Sequence, residues 1–133
     1  MRYLLDTNVC IDYLGGRYPA VVRRLTEAAP EDLAVSAVSV AELRYGADKS
    51  ERPRANHARL NALFRELRCV DFDRSAAAAY GRLRSGLERR GKPIGPNDML
   101  IAAQALSRGL VLVTDNVREF RRVPRLKLVN WRV

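Results

Sequence analysis

Histidine occurs once and cysteine twice in these 133 residues, and both scarcities narrow the chemistry. Cys10 and Cys69 stand far apart with no Cys-x-x-Cys spacing, which argues against a thiolate zinc site and against a disulfide framework. His57 lies alone in a charged segment, so it is expected at the surface and not as a catalyst. No apolar run approaches the roughly 20 residues that cross a bilayer. The opening Met1–Asp6 carries no long apolar stretch of the secretory kind, so a cytoplasmic protein with reduced thiols is expected. Acids are the minority charge, 15 Asp and Glu against 24 Lys and Arg, for a formal net charge of +9. The basic residues are spread in three groups, around Arg52–Arg68, Arg82–Lys92 and Arg118–Lys127, which favours an anionic partner such as nucleic acid.

What is present suffices for one domain, 1–133, because 47% hydrophobic content can bury a core at this length. Residues 2–5 and 110–113 are short continuous apolar runs, as in strands buried on both faces, and 33–35 and 127–129 read as further strands. Helices are expected over 9–14, after Pro19, from Ser39 to Asp48, over 56–67, over 75–90 and from Pro96 to about Gly109. Residues 49–56 and 91–97 read as loops. Short strands alternating with helices predict an α/β fold, a parallel sheet covered on both faces.

The few acids fall at element ends. Asp6 closes the first apolar run, Asp115 follows Leu110–Thr114, and Glu42 and Asp98 are expected in first helical turns. In a parallel α/β sheet all four then meet beyond the carboxyl ends of the strands. Clustered carboxylates repel, and a divalent cation relieves that repulsion; oxygen-only ligands point to Mg²⁺ or Mn²⁺. Thr7 and Asn8, with Thr114 and Asn116, offer hydroxyl and amide groups to orient a carboxylate or a water. Plainer readings stand beside this one. Ser39 and Glu42 have capping-box spacing, Asp98 suits a helix N-terminus, and Asp6 and Asp115 suit turns. For Asp6 and Asp98 together the functional reading is favoured, because a charge ending a buried strand is costly unless something pairs with it.

The blocks Leu4-Leu5-Asp6-Thr7-Asn8-Val9, Ser39-Val40-Ala41-Glu42-Leu43-Arg44-Tyr45-Gly46, Ile94-Gly95-Pro96-Asn97-Asp98-Met99-Leu100-Ile101-Ala102-Ala103 and Leu112-Val113-Thr114-Asp115-Asn116-Val117-Arg118-Glu119-Phe120, in that order, resemble PIN-domain ribonucleases of the VapC toxin type over essentially the whole chain. The resemblance implies a three-layer α/β/α PIN-like fold and a Mg²⁺- or Mn²⁺-dependent endoribonuclease that arrests translation. It implies tRNA as the favoured target, a VapB-type antitoxin as partner, and homodimers within toxin–antitoxin hetero-oligomers. Asp6, Glu42 and Asp98 match the three principal acids. The fourth position is open between Asp115 and Asn116.

Asp6 and Asp98 are the expected metal ligands, with Glu42 orienting or deprotonating the attacking water and products ending in 5′-phosphate and 3′-hydroxyl. Arg44 and Arg118 are candidates to hold RNA backbone, and Tyr45 and Trp131 to stack on bases or pack in the core. Val21, Val22, Leu25 and the helix 56–67 are candidates either for antitoxin contact or for plain core packing. Two other classes remain. An aspartyl-phosphate hydrolase would want Asp where Asn8 stands, and a non-catalytic binding module would use the acids only as caps.

Overall fold

The computed structural model describes all 133 residues. Five parallel strands form the central sheet: β1 (Tyr3–Leu5), β2 (Leu33–Ser36), β3 (Arg68–Val70), β4 (Val111–Val113) and β5 (Leu128–Val129), in the order β3-β2-β1-β4-β5. Seven helices cover it: α1 (Thr7–Gly15), α2 (Pro19–Glu27), α3 (Ala37–Asp48), α4 (Pro53–Arg65), α5 (Arg74–Arg89), α6 (Pro96–Arg108) and α7 (Val117–Phe120). This is the expected three-layer α/β/α arrangement.

Strand alternation divides the core in two. Leu4 pairs in register with Ala34 and Leu112, and these three face α5, α6 and Phe120. Leu5 pairs with Val35 and Val113, which face α1 to α4 and Trp131. Both leucines are fully buried, and each stabilises the fold by about 1.5–3 kcal/mol. The chain leaves β1 outward on one side and β4 outward on the other, so the order reverses between these two strands. Beyond their carboxyl ends lies the crevice where ligands of open α/β sheets collect.

Several boundaries differ from the sequence reading. β3 was not expected there, and α4 ends at Arg65 instead of running to 67, because the edge strand Arg68-Cys69-Val70 exposes two of its three residues. Helix α4 begins at Pro53, inside the expected 49–56 loop. α3 starts two residues before Ser39, at Ala37: the Ser36 hydroxyl accepts the Val38 N–H at 2.9 Å and caps the helix. Ser39 is therefore a buried helical residue and not a cap, and Glu42 sits in the second turn. α7, only four residues long, was also unexpected.

Candidate active site at the carboxyl edge of the sheet

Asp6 directly follows β1 and is the N-cap of α1, which fixes its carboxylate at the strand order reversal. Its Oδ1 accepts the Thr7 N–H at 2.8 Å, and its Oδ2 accepts the Thr114 hydroxyl at 2.8 Å from the end of β4. Thr114 is held in turn by the Asn116 N–H at 3.0 Å. Only 5% of Asp6 is exposed. That burial raises its pKa, against the lowering effect of the Thr114 and Thr7 bonds and with the negative charges of Glu42 and Asp115 adding to it.

The Thr7 hydroxyl donates to Glu42 Oε1 at 2.8 Å, and Ser39 Oγ lies 3.0 Å from the same hydroxyl. One turn of α1 thus aligns an acid of α3 with Asp6. Asp98 enters from the first turn of α6, whose N-cap is Gly95. A Cβ at Gly95 would come within 3.2 Å of Asp98 Oδ2, so the absence of a side chain there leaves the carboxylate its place. The Asp98 carboxyl is pushed up to about 6, by burial first and then by Asp6, Glu119 and Glu42. No protein donor or cation bonds to it. Asp6, Glu42 and Asp98 therefore share one edge without a salt bridge among them.

Asp115 is placed differently. Its Oδ2 meets Arg132 Nη1 at 3.0 Å, and Asn8 Nδ2 reaches its Oδ1 at 3.5 Å. Arg132 also grips Asp12, Nε to Oδ2 at 2.7 Å and Nη2 to Oδ1 at 3.0 Å, with its guanidinium 4.2 Å from the Tyr18 ring centroid. These contacts raise the Arg132 pKa, the Asp12 hydrogen bond foremost. Asp115 is thus close enough to influence Asp6 but is already paired.

The acid that sequence reasoning missed is Glu119. It accepts the Gly95 N–H at 2.9 Å and the Asn116 side-chain amide at 2.9 Å. These bonds, aided by Arg122, lower its pKa and keep a negative charge beside Asp98. The signal was Asn116 followed three residues later by Glu119, the spacing of a helix start. Arg44 turns away to His57, at 3.0 Å, and to Asn61, at 2.7 Å, and His57 also bonds Asp48 at 2.7 Å; the histidine is a strut between α3 and α4. Arg118 is exposed, Trp131 is buried against Tyr3, and Tyr45 stands 65% exposed.

A parallel sheet whose strand order reverses beneath a cluster of carboxylates defines an open α/β domain with its candidate site at the carboxyl edge. Comparison with known proteins makes it specific. Residues 3–126 match the PIN domain family. The chain is 40% identical over 131 residues to the tRNA(fMet)-specific endonuclease VapC of Shigella flexneri, covering 98% of each. Among solved structures, VapBC2 from Rickettsia felis bound to a promoter DNA fragment superposes with a TM-score of 0.92 at 37% identity, covering 98% of this chain and 99% of that one. DNA-bound VapBC from Salmonella typhimurium gives 0.93 at 37% identity, with 98% of each chain covered. The chain belongs to the PIN-domain family, in its VapC ribonuclease branch. No helix is long and apolar enough to cross a membrane.

Proposed function

We propose that the chain is the toxin of a type II toxin–antitoxin pair, an endoribonuclease that uses Mg²⁺ or Mn²⁺ to cut RNA, with a tRNA as substrate. The observation that carries this reading is the gathering of Asp6, Glu42 and Asp98 at one edge of a strongly basic chain with no cation to neutralise them. The relatedness to a tRNA(fMet)-specific endonuclease supports the choice of tRNA.

The residues fit a hard divalent cation. Their donors are all oxygens, and the Asp98 carboxyl is raised by burial first and then by the like charges of Asp6, Glu119 and Glu42, which a counter-ion would relieve. No three His, Cys, Asp or Glu side chains close into a ready-made cage, so these residues would supply only part of a cation's shell. Asp6 and Asp98 would hold it, and when bound it supplies polarisation of the scissile phosphate and a lowered pKa for an attacking water. The chain's own groups do the positioning. Thr7 and Thr114 fix Glu42 and Asp6 in orientation, so Glu42 can accept a proton from the attacking water at Oε2 while Oε1 stays bound to Thr7.

The antitoxin is proposed to lie in a cavity of about 340 Å³ between α1, α3 and α4, lined by Ile11, Leu14, Leu43 and Leu60 and opening at Thr7 and Glu42. Of the two readings of Val21 and Leu25, core packing is the one the structure bears out. From that groove a basic antitoxin side chain would reach the carboxylates and compete with the cation. Kinship to VapBC complexes supports this partner, and homodimerisation is proposed on the same kinship. The test is cleavage of total tRNA by purified protein with Mg²⁺ or Mn²⁺, with EDTA, and with Asp98→Asn. Discrete cuts ending in 5′-phosphate that need both metal and Asp98 are expected. Equal cleavage by the variant would remove the reading.

A further inference from the structure

A strongly basic concavity lies away from the acidic edge. A cavity of about 710 Å³ lies between α5 and the segment after α7, and Arg82, Arg89, Arg90 and Arg125 line it around Leu83 and Pro124. No Asp or Glu is among its lining residues, and none of the four guanidiniums has a carboxylate partner. Glu88, the acid on α5, is held by Arg84 at 2.7 Å. Four unpaired cations around a hollow repel one another and focus a positive potential into it. All four are arginine, the side chain whose planar fork matches phosphate. Arg125 is also the one non-glycine residue with positive φ, at 67°, directly after Pro124 and buried Val123. Holding a bulky charged side chain in that conformation is a cost the groove retains.

The groove is tied to the acidic edge. Glu119, beside Asp98, precedes the segment that carries Arg125. Arg122 donates to the Pro93 carbonyl at 2.9 Å, and Arg90 donates to the Arg122 carbonyl at 3.3 Å, joining the groove wall to the loop before Asp98.

We propose that this arginine groove is an exosite that grips phosphates of the RNA substrate away from the bond being cut. The inference rests on the ribonuclease reading and extends it. A scissile phosphate alone needs only the carboxylate edge, whereas a folded RNA presents many further phosphates, and contacts to them supply affinity without reading sequence.

The experiment measures binding apart from cleavage. Cleavage-deficient Asp98→Asn protein is titrated into fluorescently labelled total tRNA, with anisotropy read over a series of KCl concentrations. Adding Arg89→Ala with Arg125→Gly should weaken binding about tenfold and lower the log–log salt slope by about 2. Glycine at 125 removes charge while easing the left-handed backbone, so the melting temperature should hold or rise. Arg23→Ala with Arg24→Ala removes equal charge from exposed positions elsewhere and should leave the slope nearly unchanged. Arg89→Lys with Arg125→Lys should restore it. In the cleaving protein the groove variant should raise KM for tRNA far more than it lowers kcat. Equal losses in the groove and control variants, or no loss in either, would overturn the exosite. So would intact RNA binding with lost capture of the antitoxin, which would hand the groove to a protein. Absence of any RNA cleavage by the wild type would sink the function reading, while the anisotropy would still judge the groove.

Discussion

Two acidic neighbourhoods share the carboxyl edge of this sheet and are built on opposite terms. Asp12 and Asp115 are closed by a single arginine, Arg132, which gives the buried Asp12 two short bonds and Asp115 one. Asp6 and Glu42 receive hydroxyl and backbone donors and Asp98 none, no cation pairs with any of the three, and burial first and then the neighbouring acids push the Asp98 carboxyl up to about 6. A carboxylate that the chain neutralises itself serves the fold. One left uncompensated, at a cost in stability, serves a ligand from outside.

The largest effects should break the open cluster. Asp6→Asn or Asp98→Asn should lower RNA cleavage on the order of 10³-fold, the scale of losing a group that acts on the reacting atoms. Asp115→Asn should cost less than about threefold if its role is to pair with Arg132. Single-turnover rates for the three variants decide whether the division holds. An Asp115 variant as dead as the Asp98 variant would erase it.

Next in size is the closed cluster. Arg132→Ala leaves Asp12, 4% exposed, without its counter-charge. Discounting for the partial exposure of Arg132, the loss should be about 2–3 kcal/mol, a fall in Tm on the order of 10 °C. A double-mutant cycle with Asp12→Asn should return most of it as coupling. Additive losses would mean the bidentate pair is decoration.

How much of this contrast was legible beforehand depended on distance along the chain. Asp6 and Asp98 could be read because each charge abuts an apolar run or opens a helix, and β1 and β4 because their apolar runs are continuous. Glu42 was found for a partly wrong reason. Its spacing from Ser39 suggested a cap, but the cap is Ser36, and Ser39 and Glu42 instead present one helix face to Thr7. β3 and α7 carry too few buried residues for any period to show. Asp12 and Arg132 lie at opposite ends of the sequence, and nothing local in either segment marks them as partners.

A smaller prediction concerns how the open cluster is held. Thr7→Val removes the hydroxyl that orients Glu42 without adding volume, and should lower cleavage about tenfold, the usual cost of losing a supporting bond behind a reactive group. Its Tm should barely move. Thr7→Ser keeps the hydroxyl and should recover most of the rate; failure to recover would put the effect on packing and not on orientation.

The smallest effect is in stability, and its sign separates the clusters. The Asp98 pKa is raised in the folded state, from 3.8 to about 6, so between those values the folded chain binds more protons than the unfolded one. Stability must then fall as pH rises through this window, and the full penalty is present above about pH 6. Asp6, also raised, adds with the same sign. After allowance for solvent screening at half-exposed Asp98, its share is about 1 kcal/mol. In EDTA, Asp98→Asn should therefore melt a few degrees above wild type at pH 7.5 and close to it near pH 4. Equal differences at both pH values would mean that the asparagine acts through packing. Adding Mg²⁺ at pH 7.5 should raise the wild-type Tm by mass action and leave the variant nearly where it was, because binding to the folded state alone stabilises it. Arg132→Ala keeps the open cluster, so Mg²⁺ should raise its Tm by about as much as it raises that of the wild type.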